Sequence, residues 1–214
     1  MAPTSTPNDI YQYSLTAAYN AGLTEGGPPV AFLTHHGTHG IGIFEAEEDD
    51  DGTELPAKDM VQIDSIAYAI DSDGDVERAD KDDTMPFTMV TVFQAKERSK
   101  MPKGMTHKKV LEMFSGKAAN TPVSFKITGP FSYISTKQAT RWEIKGTIFG
   151  FFVPAWQKEV SGEGLQSRFL SQDRKQGGVV RDFETADGAV LEWAKCGRFH
   201  LGFSQAEEYE QLRI

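Results

Sequence analysis

Residues 146–183 read GTIFGFFVPAWQKEVSGEGLQSRFLSQDRKQGGVVRDF, and this stretch decides the fold. Thr147 to Val153 is an unbroken apolar run rich in β-branched and aromatic residues, the pattern of a buried strand. Pro154 and the polar residues to Gly164 end it. Leu165 to Leu170 then alternates, with Leu165, Ser167 and Phe169 on one face and Gln166, Arg168 and Leu170 on the other. Ser171 to Gln176 has the composition of a turn, closed by Gly177-Gly178, and Val179 to Phe183 reads as a third strand. The spacing predicts two neighbouring strands that present Gln166 and Arg168 on one face, opposite the residues just after the glycine pair.

The stretch resembles the signature region of the acetolactate decarboxylase family. Gly146, Gly150, Phe151, Phe152 and Pro154 match the family's first-strand pattern, and the turn 171–178 matches in length and character. The resemblance implies three zinc-binding histidines at positions that here read Gln166, Arg168 and Val179. It therefore implies a kept scaffold without the metal site, and no cofactor is expected. No P-loop lysine and no dinucleotide glycine fingerprint is present either.

Outward from this stretch the resemblance extends over most of the chain, from Ile10 onward. Gly40 to Phe44 matches a Gly-x-Gly-Thr strand, with Ile43 where the family has threonine. Tyr68, Ile70, Asp71, Ser72 and Gly74 match a further segment. Counting back from it, Asp59 falls where the family has an active-site glutamate, so the carboxylate is kept and shortened by one methylene. Ile127-Thr128-Gly129-x-Phe131 matches another segment. Six residues on, where the family carries an arginine facing the substrate carboxylate, stands Lys137; Arg141 is the alternative, since a connecting segment of the family is missing here. In the tail, Glu207 matches a glutamate that reaches the family's active site, with a solvent-facing helix residue as the plainer reading.

The resemblance implies an α+β, β-dominated fold: a mixed sheet and a smaller barrel-like sheet, few short helices, a pocket between two lobes, and a homodimer. The expected domain is 10–214, with the lobe boundary near 120–140 and a mobile N-terminus over 1–9. Local patterns predict helices at Leu15–Ala21 (cap Ser14), Thr106–Ser115 (cap Thr106, stop Gly116) and Ser204–Leu212 (cap Ser204). Met60 to Asp71 reads as a hairpin turning near Asp64-Ser65.

Composition bounds the rest. With 214 residues, 39% hydrophobic and 25% charged, the chain can bury a sizeable core. A net charge of −9 and a pI of about 5.1 argue against nucleic-acid binding, which needs a basic face. No apolar run approaches the roughly 18–20 residues that span a bilayer. A single cysteine, Cys196, allows no intrachain disulfide. The N-terminus lacks a basic and an apolar leader region, so a cytoplasmic location is expected.

Two other motifs are readable. His35, His36 and His39 have spacing compatible with a metal site, against the plainer reading of a polar loop. Asp71-Ser72-Asp73-Gly74-Asp75 resembles half a calcium loop, but Asp82 rather than glutamate stands at the twelfth position, and a hairpin turn is favoured. The acidic run Glu45–Glu54 reads as a solvated loop.

The family reaction decarboxylates a 2-hydroxy-3-keto acid and must stabilise an enediolate. With the histidines replaced, Arg168 could supply fixed positive charge and Gln166 a hydrogen bond, with Asp59 or Glu207 as general acid or base. Ile43, Val179 and Arg141 would line the substrate site. The expected function is a metal-independent lyase or isomerase acting on a small carbonyl acid or polyketide-like compound, in a setting such as secondary metabolism. The alternatives are a non-catalytic homologue and a true decarboxylase with a relocated metal site.

Overall fold

A computed structural model describes residues 6–49 and 51–214. The elements run β1 (Ile10–Tyr13), α1 (Thr16–Asn20), α2 (Val30–His36), β2 (His39–Ile43), β3 (Asp59–Ile63), β4 (Ile66–Ile70), β5 (Val76–Arg78), β6 (Phe87–Thr91), β7 (Glu97–Lys100) and α3 (His107–Lys117). They continue with β8 (Val123–Thr136), β9 (Thr140–Val153), α4 (Lys158–Ser161), β10 (Gly164–Ser171), β11 (Gly177–Thr185), β12 (Val190–Lys195) and β13 (Phe199–Gly202). A 3₁₀ turn follows at Glu207–Gln211.

The strands form two sheets, in the orders β13-β1-β6-β2-β3-β4-β5 and β11-β10-β9-β8-β12-β7. In the first, only β1–β13 is parallel. In the second, β8 pairs with β9 along nearly its whole length, while its other edge is shared. Residues 123–128 of β8 pair with β12, and residues 131–136 pair with β11. The changeover falls at Gly129-Pro130, where the proline has no N–H to donate. Pairing of β11 with both β10 and β8 closes four strands into the small barrel that the resemblance implies.

Residues 146–153 of β9 are buried on both faces, which explains the continuous apolar run there. Ile148 and Phe152 join the core inside the barrel with Phe131, Leu165, Phe169 and Phe183. Phe149, Phe151 and Val153 join Leu170 and the first-sheet residues Ile10, Ile41, Val61 and Ile70 in a second core, between the sheets. A third core lies under α2, around Leu33, Met60 and Val90. The alternation read in β10 therefore separates a barrel-facing side from one that faces the first sheet.

Several expectations change. Strands β1 to β6 and β13 make up the first sheet and β7 to β12 the second, so the long β8–β9 hairpin lies wholly in the second sheet. Residues 1–5 of the expected mobile N-terminus, and Asp50 of the acidic run, lie outside the described residues. Asn8 and Asp9 are buried, and Asn8 is tied to Gln94 by two side-chain hydrogen bonds. Ser14 does not cap α1: its φ is 64°, and the N-cap is Leu15. Thr106 does cap α3, accepting from the Lys109 N–H, but the helix runs through Gly116 to Lys117. The C-terminal segment is a 3₁₀ turn, with the Ser204 hydroxyl accepting from the Ala206 N–H.

The Asp71–Asp75 segment is a turn between β4 and β5. The Asp71 carboxylate accepts from the Asp73 and Asp75 N–H groups at 2.9 Å, which uses it as a turn former. The same turn docks on the barrel: the Gly177 N–H donates to the Gly74 carbonyl at 2.9 Å.

Candidate functional site

The β10–β11 register sets Arg168 directly opposite Val179, and strand alternation puts Gln166 on the same face. The three positions therefore share the barrel face turned toward the first sheet. Across from them, Asp59 opens β3, paired with Ile43 on β2 and Ile70 on β4. The first sheet's face here consists of Ile43, Asp59 and Ile70.

Arg168 and Asp59 meet between the sheets. Arg168 Nη2 lies 2.9 Å from Asp59 Oδ1, and their side chains are only 9% and 8% exposed. Arg168 Nη1 reaches the Ser167 carbonyl at 3.3 Å, while Nε is buried without an acceptor. The other Asp59 oxygen, Oδ2, accepts from Gln138 Nε2 at 3.3 Å. Gln138 Oε1 in turn accepts from the Val179 N–H at 3.2 Å. The Tyr19 phenol lies in the field of this pair: burial raises its pKa first, the Asp59 carboxylate raises it further, and Arg168 opposes. Tyr19 thus stays protonated at neutral pH and can donate.

The remaining sequence candidates are placed differently. Gln166 shares the face, yet its Nε2 donates to the Glu163 carbonyl at 2.8 Å, so the amide folds back over the 162–164 turn. The Lys137 side chain is exposed; its backbone N–H binds the Val179 carbonyl at 2.8 Å, and the next residue, Gln138, turns inward instead. Arg141 is half-buried, with Nε donating to Gln176 Oε1 at 2.7 Å and Nη1 buried without a partner. Glu207 is exposed on the terminal 3₁₀ turn and makes no ion pair with Arg168 among the described residues. Gln138 and Tyr19 carried no signal in the sequence. Their relation to the site exists only once the sheets meet.

The three histidines of the 35–39 segment do not converge. His35 is exposed. His36 packs on Phe32 and Tyr11, with ring centroids 4.3 and 4.8 Å apart. His39 starts β2 and packs on Phe93 and Phe149. Among the described residues, no group of three or more His, Cys, Asp or Glu side chains is placed to hold a metal ion. This removes the geometric basis for a metal site relocated to these histidines.

A sequence model of the family described as alpha-acetolactate decarboxylase matches residues 10–214. The chain belongs to the alpha-acetolactate decarboxylase family. The alpha-acetolactate decarboxylase of Methanosarcina mazei is 27% identical over 95% of this chain and 79% of its own length. That of Brevibacillus brevis is 25% identical over 94% and 75%. The crystal structure of the Bacillus subtilis alpha-acetolactate decarboxylase superposes with a TM-score of 0.85 at 20% identity, covering 96% of this chain and 93% of that one. A Staphylococcus aureus protein described as similar to alpha-acetolactate decarboxylase gives 0.84 at 23% identity, covering 97% and 94%. Both superpositions bear out the two-sheet, β-dominated fold.

Within an alpha-acetolactate decarboxylase scaffold, a zinc ion held by three imidazoles does not fit the residues present. Gln166 offers one neutral amide oxygen, Val179 offers no donor, and Arg168 places a cation among them that repels a metal.

Proposed function

We propose that this chain is a lyase for small 2-hydroxy-3-keto acids or related carbonyl acids, using Arg168 as its electrophile. The observation that carries the reading is the Arg168 guanidinium. Its side chain is 9% exposed and held by Asp59, and the buried Nε–H has no acceptor. An orphaned buried donor is costly, and an oxygen of a bound carboxylate or enediolate would satisfy it.

In the proposed step the bond between the carboxylate and the carbinol carbon breaks. Carbon dioxide leaves, and the bonding pair moves into the adjacent carbonyl to give an enediolate. Arg168 stabilises the new oxyanion by charge and hydrogen bonding. Asp59, facing Arg168 from the first sheet, relays a proton from water to the carbinol carbon, and Tyr19 is a neutral donor nearby. Ile43 and Val179 supply apolar walls. The reading includes independence from metal, supported by the donor chemistry at positions 166, 168 and 179. By likeness to the family it also takes a homodimer as a proposal, and it keeps the cytoplasmic location as a separate one.

A second reading, a ligand-binding homologue without turnover, is favoured by one observation: Asp59 already occupies Arg168 as a closed ion pair. The deciding experiment follows carbon dioxide release from acetolactate, and from a panel of other hydroxy-keto and polyketide-like acids, by protein dialysed against chelator. Turnover that survives chelation and falls about 100-fold or more in Arg168→Ala supports the lyase. Turnover restored only by added zinc overturns metal independence. Saturable binding of the panel without turnover selects the second reading.

A further inference from the structure

The Asp59 carboxylate is carried by the first sheet, yet both its oxygens are held from the second. One is held by Arg168. The other is held by Gln138, in the three-residue connection between the two longest strands, β8 and β9. That connection is rigid. Thr136 Oγ1 donates to the Ala139 carbonyl and accepts from the Ala139 N–H, each at 3.0 Å, and the Lys137 N–H is bonded to Val179.

The orientation of the Gln138 amide is also fixed. One end faces an N–H, of Val179, and must be the oxygen. The other faces a carboxylate and must be the NH₂. A flipped amide would set donor against donor and oxygen against oxygen. Space is reserved for it at Gly178, whose φ is +156°. A Cβ there would overlap Gln138 Oε1 and lie 2.6 Å from Thr136 Cβ. Thus the second glycine of the Gly177-Gly178 pair admits the amide, and the residue after it supplies the N–H that aims it.

We infer that Gln138 is a positioning residue that fixes the Asp59 carboxylate, with Gly178 as its required neighbour. Arg168 then takes Oδ1 while Oδ2 is turned to Gln138, so the carboxylate cannot rotate freely. The inference deepens the proposed function and rests on the same site.

The test has two arms. In the first, unfolding in urea is measured for the intact chain, Gln138→Leu, Asp59→Ala and the double variant. Gln138→Leu strips the Val179 N–H of its acceptor in both backgrounds, so the Asp59 contact is read from the ratio between them. The folding equilibrium constant should drop about tenfold more when Asp59 is present. In the second arm, Gln138→Glu keeps the turn and the acceptor for Val179 but replaces the donor facing Asp59 by an oxygen. Its kcat should fall about tenfold with KM changed less than about twofold, and its urea midpoint should fall at least as far as the loss of the Asp59 contact in the first arm requires. A ratio near one, or full kcat in Gln138→Glu, overturns the inference. Should the intact chain turn over no acid in the panel, the ratio alone decides. The missing turnover would sink the lyase reading, and a ratio near ten would still leave Gln138 as the residue that holds Asp59.

Discussion

At the scale of single residues, the molecule buries ionisable groups in two distinct ways. Arg168 and Asp59 are buried as charges and paired. His39 is buried as a neutral ring: its Nδ1 lies 3.0 Å from the Thr38 hydroxyl, and its faces pack on Phe93 and Phe149. Its Nε2 is 3.4 Å from Asp64, but that carboxylate is 74% exposed and does not satisfy the buried nitrogen. Burial dominates, Lys126 adds to it, and the pKa is lowered to about 4. The folded-state value is therefore below the unfolded one, near 6.5. Between those values the unfolded chain binds the proton more readily, so stability is full above about pH 6.5 and declines as pH falls toward 4. The loss amounts to about 3 kcal/mol at 1.36 kcal/mol per unit. Urea unfolding at pH 7 and pH 4.5 should show this slope, and His39→Phe should flatten it by that share. An unchanged slope in the variant would show that His39 titrates normally. Cys196 belongs with His39: burial pushes its thiol up to about 12, so it packs rather than reacts.

At the scale of elements, the glycines of the signature strand are close-approach residues. On β9, a Cβ at Gly146 would overlap the Phe169 ring, and one at Gly150 would overlap the Gln166 carbonyl of β10. Both positions hold β10 at the distance that brings Arg168 to Asp59. Gly116 is the counter-example: it lies inside α3 with nothing within 4 Å of an added Cβ. Gly150→Ala should therefore destabilise by about 2–3 kcal/mol through forced strand separation. Gly116→Ala should stabilise by about 0.5–1 kcal/mol by restricting the unfolded chain. Thermal unfolding of the two variants side by side checks both signs. The contrast also explains what the sequence could reveal. β9 was readable because burial of residues 146–153 on both faces leaves an unbroken apolar run, β10 because its side chains alternate between two faces, and the β3–β4 hairpin because its apolar runs flank Asp64-Ser65, which turns with φ of 51° and 67°. β7 (ERSK) was not, because all four residues are exposed and its pairing is dictated by β12. α2 was hidden because Thr34, His35 and His36 interrupt its apolar pattern, leaving Val30 and Leu33 as the buried pair.

At the scale of the whole molecule, the site joins two sheets that are otherwise held by an apolar core and a docked turn. Asp59 reaches out of the first sheet, Arg168 and Gln138 reach out of the second, and each partner is distant in sequence from the others. Reading along the chain brings residues 166, 168 and 179 together through one hairpin, but no local pattern brings Gln138 to Asp59. A buried ion pair is weak evidence for stability, because desolvation of both charges offsets their attraction, whereas stranding one charge is costly. Arg168→Met alone should then destabilise by about 3–5 kcal/mol, since Asp59 is left buried without its cation. Arg168→Met combined with Asp59→Leu should recover most of that loss, because the intersheet core around Leu170 and Phe149 can extend over the apolar replacements. If the double variant is as stable as the intact chain yet binds no carbonyl acid, the pair is retained for chemistry. If the double variant is no better than Arg168→Met, the pair is instead a structural clamp between the sheets, and the electrophile assigned to Arg168 must be sought elsewhere.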